Sequence, residues 1–124
     1  AAFVTDGRLR ALAVSGPAAL GHRLLATTPE ALAECLPLTH AETGCVITAD
    51  LRLDNRAALM TALFPDASGR TIGDGELVLA AYLRWDLACP EHLEGDFAFA
   101  IWDPRCRRLL CARDRMAMRP LIYY

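Results

Sequence analysis

The 124-residue sequence contains no lysine: all 13 of its basic side chains are arginines. That bias fits a GC-rich coding sequence better than a binding patch, and with 15 acidic residues the net charge is −2. No global field therefore favours nucleic acid or an anionic membrane. Also missing are an apolar run long enough to span a bilayer and any signal-peptide pattern. The five cysteines, at positions 35, 45, 89, 106 and 111, form no Cys-x-x-Cys pair. An odd number cannot all pair within one chain, so reduced thiols in a cytosolic protein are expected, with Cys45 and Cys111 acting as small hydrophobes in apolar runs. His22, His40 and His92 stand far apart without metal-ligand spacing and read as surface or packing residues. No glycine-rich phosphate loop appears, so ATP is not expected to bind here.

What is present is hydrophobic content sufficient for one core, 54% of residues, and the length favours a single domain over residues 1–124. Phe3-Val4-Thr5 and Arg8 to Val14 read as two strands joined by a tight Asp6-Gly7 turn, because Asp-Gly supplies the positive φ of a two-residue hairpin. Ser15-Gly16-Pro17 reads as a break, Ala18 to Leu25 as a strand, and the Thr27–Ala31 stretch as a loop or short helix with Pro29 near its start. Cys45 to Ala49 is strongly β-forming and should lie centrally in a sheet.

Two helices should follow. Asp54 or Asn55 can cap the first, which runs to about Phe64, and Pro65 to Gly69 ends it. Asp74 is positioned to cap the second, which runs to about Leu87 with Leu77, Val78, Ala81, Tyr82 and Trp85 on one apolar face. Pro90 to Leu93 is a short helical turn. From Asp96, Phe97, Phe99 and Ile101 alternate with Ala98, Ala100 and Trp102, so both faces of this strand are apolar and both should be covered. Asp103-Pro104-Arg105 turns the chain into a second apolar run at Leu109, making a hairpin whose Arg105, Arg107 and Arg108 read as a solvated tip. Strands, then helices, then strands is an α+β order.

The run Gly-Asp-Phe-Ala-Phe-Ala-Ile-Trp-Asp, followed by Arg113-Asp114-Arg115-Met116-Ala117-Met118-Arg119-Pro120-Leu-Ile-Tyr-Tyr, resembles the N-terminal glutamine amidotransferase domain of the asparagine synthetase family. The resemblance covers about Ala18 to Tyr124 and implies an N-terminal nucleophile (Ntn) hydrolase fold. In that fold, stacked antiparallel sheets lie between helical layers (αββα). This copy is expected to be incomplete at one or both ends. Within the family motif, Ala117 replaces a glycine that lets the chain turn tightly, so a milder geometry is expected there. Arg113 and Asp114 read as a structural ion pair or a backbone-bonding unit.

The resemblance also places a glutamine site. Gly21-His22-Arg23-Leu24 is similar to the segment whose arginine binds the glutamine α-carboxylate, which points to Arg23. Ile72-Gly73-Asp74-Gly75-Glu76 is similar to the segment whose aspartate holds the α-ammonium, which points to Asp74. Read without the family, Arg23 is a surface or ion-paired strand residue and Asp74 an N-cap. Where the family has an asparagine and a glycine as oxyanion hole, this chain has Asp50 and Leu51, a carboxylate where a donor is required and bulk where backbone must approach substrate. The family nucleophile is an N-terminal cysteine, whereas residue 1 is Ala1, so no catalytic residue is assigned; the family's His-Arg-Gly-Pro-Asp segment is also absent.

The phrase Thr48-Ala49-Asp50-Leu51-Arg52-Leu53-Asp54-Asn55-Arg56 looks most like the family branch that includes lasso-peptide macrolactam synthetases, which use an amine already present in their substrate. The resemblance thus implies a catalytically degenerate, structural domain that partners a synthetase domain in cis or in trans, with ATP and magnesium confined to that other domain. Two alternatives stand beside it. One is a working glutaminase whose cysteine precedes Ala1; the other is a module that binds glutamine or a peptide end through Arg23 and Asp74. Neither cofactor nor metal is expected in this domain, and neither nucleic acid nor membrane as a partner.

Overall fold

A computed structural model describes residues 2–4, 11–22, 34–67 and 69–122. Its elements are β1 (Ala2–Val4), β2 (Ala11–Ser15), β3 (Ala18–His22), β4 (Leu38–Thr39), β5 (Val46–Leu53), α1 (Arg56–Leu63), α2 (Asp74–Trp85), a 3₁₀ helix (Asp86–His92), β6 (Gly95–Asp103) and β7 (Arg108–Arg113). The strands form two stacked sheets, ordered β1-β3-β2 and β4-β5-β6-β7. Helices cover the free face of the second sheet, so the α+β class expected from the element order is the one observed.

The second sheet is antiparallel throughout, with β5 and β6 central. The two-sided apolar pattern of β6 has the expected consequence. Phe97, Phe99 and Ile101 enter the large core beneath the helices, while Ala98, Ala100 and Trp102 are buried on the opposite face. There, Trp102 joins Val46 and Leu20 in a smaller cluster between the sheets. The small side chains of Ala98 and Ala100 leave room for the facing sheet. On α2, Leu77, Val78, Ala81 and Tyr82 are buried as their spacing predicts; each fully buried Leu or Val side chain contributes roughly 1.5–3 kcal/mol.

The amino-terminal hairpin differs from expectation. β1 and β2 do not pair, because β3 lies between them, parallel to β1 and antiparallel to β2. The tight turn is instead Gly16-Pro17, with Ser15 paired to Ala18. Gly16 has φ +57, and proline holds its own φ negative. That positive-then-negative order suits a type II′ hairpin, so the supposed break is the turn. Residues 5–10, with the Asp6-Gly7 pair, lie outside the described residues, as does the Thr27–Ala31 stretch.

The β6–β7 tip is also more ordered than a solvated arginine cluster. Arg105 makes side-chain and backbone bonds to Asp103. Arg108 donates to the Tyr82 hydroxyl and pairs with Asp86. Tyr82 in turn donates to Asp103 at 2.9 Å. Only Arg107 of the three has no ion-pair partner among the described residues. Cys45 is fully buried, as its apolar surroundings imply, but Cys111 is exposed, because β7 is an edge strand whose alternate residues face outward.

Candidate functional site around Asp74 and Asp50

The end of β5, the start of α1, the segment at residues 34–36 and the first turn of α2 converge on Asp74. Asp74 is not the N-cap. Gly73 takes that position with extended backbone, and no side chain caps the helix. Being one residue further in, the Asp74 carboxylate turns away from its own helix. Its Oδ2 accepts from the Leu53 N–H at 3.2 Å, and its Oδ1 accepts from Arg56 Nη1. The other arm of the Arg56 guanidinium donates to the Ile72 carbonyl. Both side chains are largely shielded from water, so the pair is only weakly screened.

A second carboxylate fills the helix start. Glu34 accepts from the Gly75 N–H, and burial pushes its carboxyl pKa up. A Cβ at either Gly73 or Gly75 would meet Glu34 Oε1 at 2.7 Å; these glycines give the carboxylate its room. The expected cap at Asn55 is likewise diverted. Asn55 stands at the N-cap of α1 without a capping bond, its side chain instead joining the His92 carbonyl and the Glu94 N–H.

Asp50 and Leu51 point to opposite faces of β5. Leu51 packs against the core under the helices, so its bulk lies away from Asp50. Asp50 sits on the other face, paired with Arg119 at 3.4 Å. Two residues earlier on that face, the buried Thr48 hydroxyl donates to the Gly21 carbonyl and lies 3.2 Å from His22 Nδ1. With the hydroxyl proton committed to Gly21, His22 donates from Nδ1, and its buried Nε2 has no partner among the described residues. Burial lowers the His22 pKa, opposed by the Asp50 charge. Arg23 lies outside the described residues. β5 thus supports both acids of interest, Asp50 by its side chain and Asp74 through the Leu53 amide, and an arginine of the same chain holds each.

Of the two readings offered for Arg113-Asp114, the backbone-bonding unit is the one that forms. Buried Asp114 accepts from the N–H groups of Phe97, Met118 and Arg119, which hold its carboxyl below the usual range, whereas Arg113 has no ion pair among the described residues. Ala117 does not adopt the milder geometry expected of alanine. Its φ is +55, because Asp114 fixes the backbone on either side of it. His92 stacks on Trp85 with ring centroids 4.0 Å apart, and His40 bonds Thr43 within a turn. No group of three or more metal-ligating side chains occurs among the described residues. Cys89 is fully buried and its thiol is pushed up to about 12 by that burial, the reverse of an activated nucleophile.

Sequence reasoning did not single out Arg56, Glu34 or Arg119 for the site. Arg56 closes the Asp-Asn-Arg phrase after β5 and could have been suspected from its place beside a helix start. Glu34 carried no local signal, since its partner is 41 residues away. No helix among the described residues is long and apolar enough to cross a membrane.

The model of a glutamine amidotransferase domain family matches residues 22–124. Among curated proteins, the chain is similar to asparagine synthetase [glutamine-hydrolyzing] 3 of Bacillus subtilis, 44% identical over 50 residues, or 40% of this chain and 8% of that protein. It is similar to a putative glutamine-hydrolyzing asparagine synthetase of Mycobacterium bovis, 49% identical over 51 residues, 41% of this chain and 8% of that protein. It is also similar to amidase chry2 of Gibberella zeae, 42% identical over 50 residues, 40% of this chain and 8% of that protein. The aligned segment is thus under a tenth of each relative's length, while the family match extends from the last residue of β3 to Tyr124. Matched along most of its length, and carrying the family's stacked sheets with helices on one face, the chain belongs to the glutamine amidotransferase domain family.

Proposed function

We propose that this chain is the amidotransferase-like domain of an asparagine synthetase-related, ATP-dependent amide ligase, with glutamine hydrolysis lost and the scaffold retained. The observation that carries this reading is the state of Asp74. The carboxylate that would receive a substrate ammonium is already bonded to Arg56 and to the Leu53 N–H. An incoming ammonium would have to displace a cation that is tethered at high effective concentration. Asp50 supports the same conclusion. An oxyanion is stabilised by donors aimed at it, and losing one typically costs about a hundredfold to a thousandfold in rate; a carboxylate in that position adds repulsion, only partly relieved by Arg119.

In such a ligase a separate synthetase domain, in cis or in trans, activates a carboxylate with ATP and magnesium, and an amine already in the substrate attacks it. The Thr48–Arg56 phrase favours the lasso-peptide macrolactam synthetase branch, acting in the cytoplasm. This domain's part is then to pack against the synthetase domain. The glutamine-hydrolysing names of several relatives favour a second reading, an active glutaminase. Glutamate release by the full-length protein separates the two. The proposal expects none above background, with or without ATP, and no heat of glutamine binding. Glutamine-dependent release abolished by Asp74→Ala would overturn it.

A further inference from the structure

Strand β7 closes one side of the second sheet, and among the described residues no strand pairs with its outer side. One bond tells which of its backbone groups are left over. The Asp114 N–H donates to the Phe97 carbonyl at 2.8 Å, so these two residues form a hydrogen-bonded pair that continues the β6–β7 register. Such pairs alternate along an antiparallel ladder, which makes Arg108, Leu110 and Ala112 the residues that bond β6. Leu109, Cys111 and Arg113 therefore turn their N–H and C=O groups outward, where none has a backbone partner among the described residues.

This edge lacks two common guards of free strands: β7 has no proline, and its register with β6 runs without a bulge. Its middle is apolar, with Leu109 47% exposed and Cys111 exposed beside it. Charge then says what fits there. Six of the ten described arginines are in ion pairs. Of the four that are not, Arg107, Arg113 and Arg115 stand at the two ends of β7, all exposed. The acids nearest them in sequence are committed elsewhere, Asp103 to Arg105 and Asp114 to three backbone amides. A second copy is a poor occupant. Antiparallel self-pairing about Leu110 sets Arg107 opposite Arg113, and pairing about Cys111 sets it opposite Arg115; like charges directly opposite are destabilising. An acidic segment meets the same arginines with the opposite sign.

We infer that β7 is a docking edge for an extended segment of a partner protein, with β-forming residues between acidic ends, which adds to the sheet as a fifth strand. Main-chain bonds to Leu109, Cys111 and Arg113 supply the affinity, as in other cases of strand addition. The arginines at either end select for acidic flanks and fix the register. Asp74 and Asp50 take no part in this edge, so the inference stands or falls apart from the fate of glutamine.

The test is an NMR titration of the full chain with the end-blocked peptide Asp-Val-Thr-Val-Thr-Val-Asp, read by amide exchange. In the free protein the amides of Leu109, Cys111 and Arg113 should exchange faster than those of Leu110 and Ala112, and the peptide should protect them. Replacing both peptide acids by Asn should weaken binding roughly fivefold, the effect of two exposed ion pairs, and so should the Arg107→Gln/Arg113→Gln variant. Because both arginines are exposed and unpaired, that variant should melt like the parent. N-methylated peptides separate strand addition from charge attraction alone. The Thr nitrogens face β7 when the peptide acids lie opposite Arg107 and Arg113, so methylating them should abolish binding, whereas methylating the Val nitrogens should spare it. No binding, indifference to charge, or equal effects of the two methylations would each overturn the assignment. So would outward amides already protected in the free chain, whether by a second copy or by another segment.

Discussion

Arg56 holds Asp74 from the neighbouring helix: one arm of its guanidinium bonds the carboxylate while the other bonds the Ile72 carbonyl just ahead of it. The pair joins the first turn of α1 to the first turn of α2, and the Leu53 amide ties both to the end of β5. Asp74, which the family resemblance marks as an expected ligand holder, is therefore bonded into the frame.

Removing the cation should expose that dependence. Arg56→Gln leaves Asp74 charged, largely buried and held by a single amide, and breaking a buried pair costs about 3–5 kcal/mol. Because the Arg56 side chain is 26% exposed, a smaller loss of roughly 2 kcal/mol is expected. Urea denaturation of Arg56→Gln, Asp74→Asn and the double variant should give a coupling above about 1 kcal/mol. Additive losses would mean that the contact contributes nothing beyond its separate parts.

Acid should weaken the fold in two stages. Burial lowers the His22 pKa from its ordinary 6.5, so the unfolded chain takes up a proton that the folded one refuses. His22 then contributes stability that is fully present above pH 6.5 and lost as the pH falls from there through the folded pKa. Asp103, held well below the carboxylate range chiefly by the Arg105 guanidinium, adds a second loss below its ordinary value of 3.8. Glu34, whose pKa burial raises, acts in the opposite sense: its charging costs stability as the pH rises through 4.5 and above. Denaturation midpoints of the parent and of His22→Asn across pH 4 to 8 read the first stage. An unchanged slope below pH 6.5 in the variant would show that His22 does not carry it.

Ala117 is an alanine in a conformation that favours glycine. A left-handed L-residue costs about 1–2 kcal/mol, and glycine gives back roughly 0.5–1 kcal/mol in chain entropy. Ala117→Gly should therefore stabilise the protein by about 0.5–1 kcal/mol, seen as a higher Tm. A lower Tm would show that the turn tolerates the methyl group without strain.

Much of the architecture was legible because it rests on local pattern. The alternation in Phe97–Trp102 gave a strand buried on both faces, and the Asp103-Pro104 turn gave its hairpin. The apolar spacing of Leu77, Val78, Ala81 and Tyr82 gave a helix and the face it buries. The amino-terminal hairpin was misplaced because two turn signals, Asp6-Gly7 and Gly16-Pro17, lie within ten residues. Only strand order chooses between them, and strand order depends on which edges meet.

The sequence by itself determined most of the elements, which follow from residue type and from spacing over a few neighbours, and it carried the family resemblance that draws attention to Asp50 and Asp74. Only the tertiary structure decided what those positions hold. Arg56 reaches Asp74 across 18 residues, Glu34 reaches Gly75 across 41, and Arg119 meets Asp50 across the fold. Charges find partners by distance through space, and at such separations the sequence carries no ruler for it.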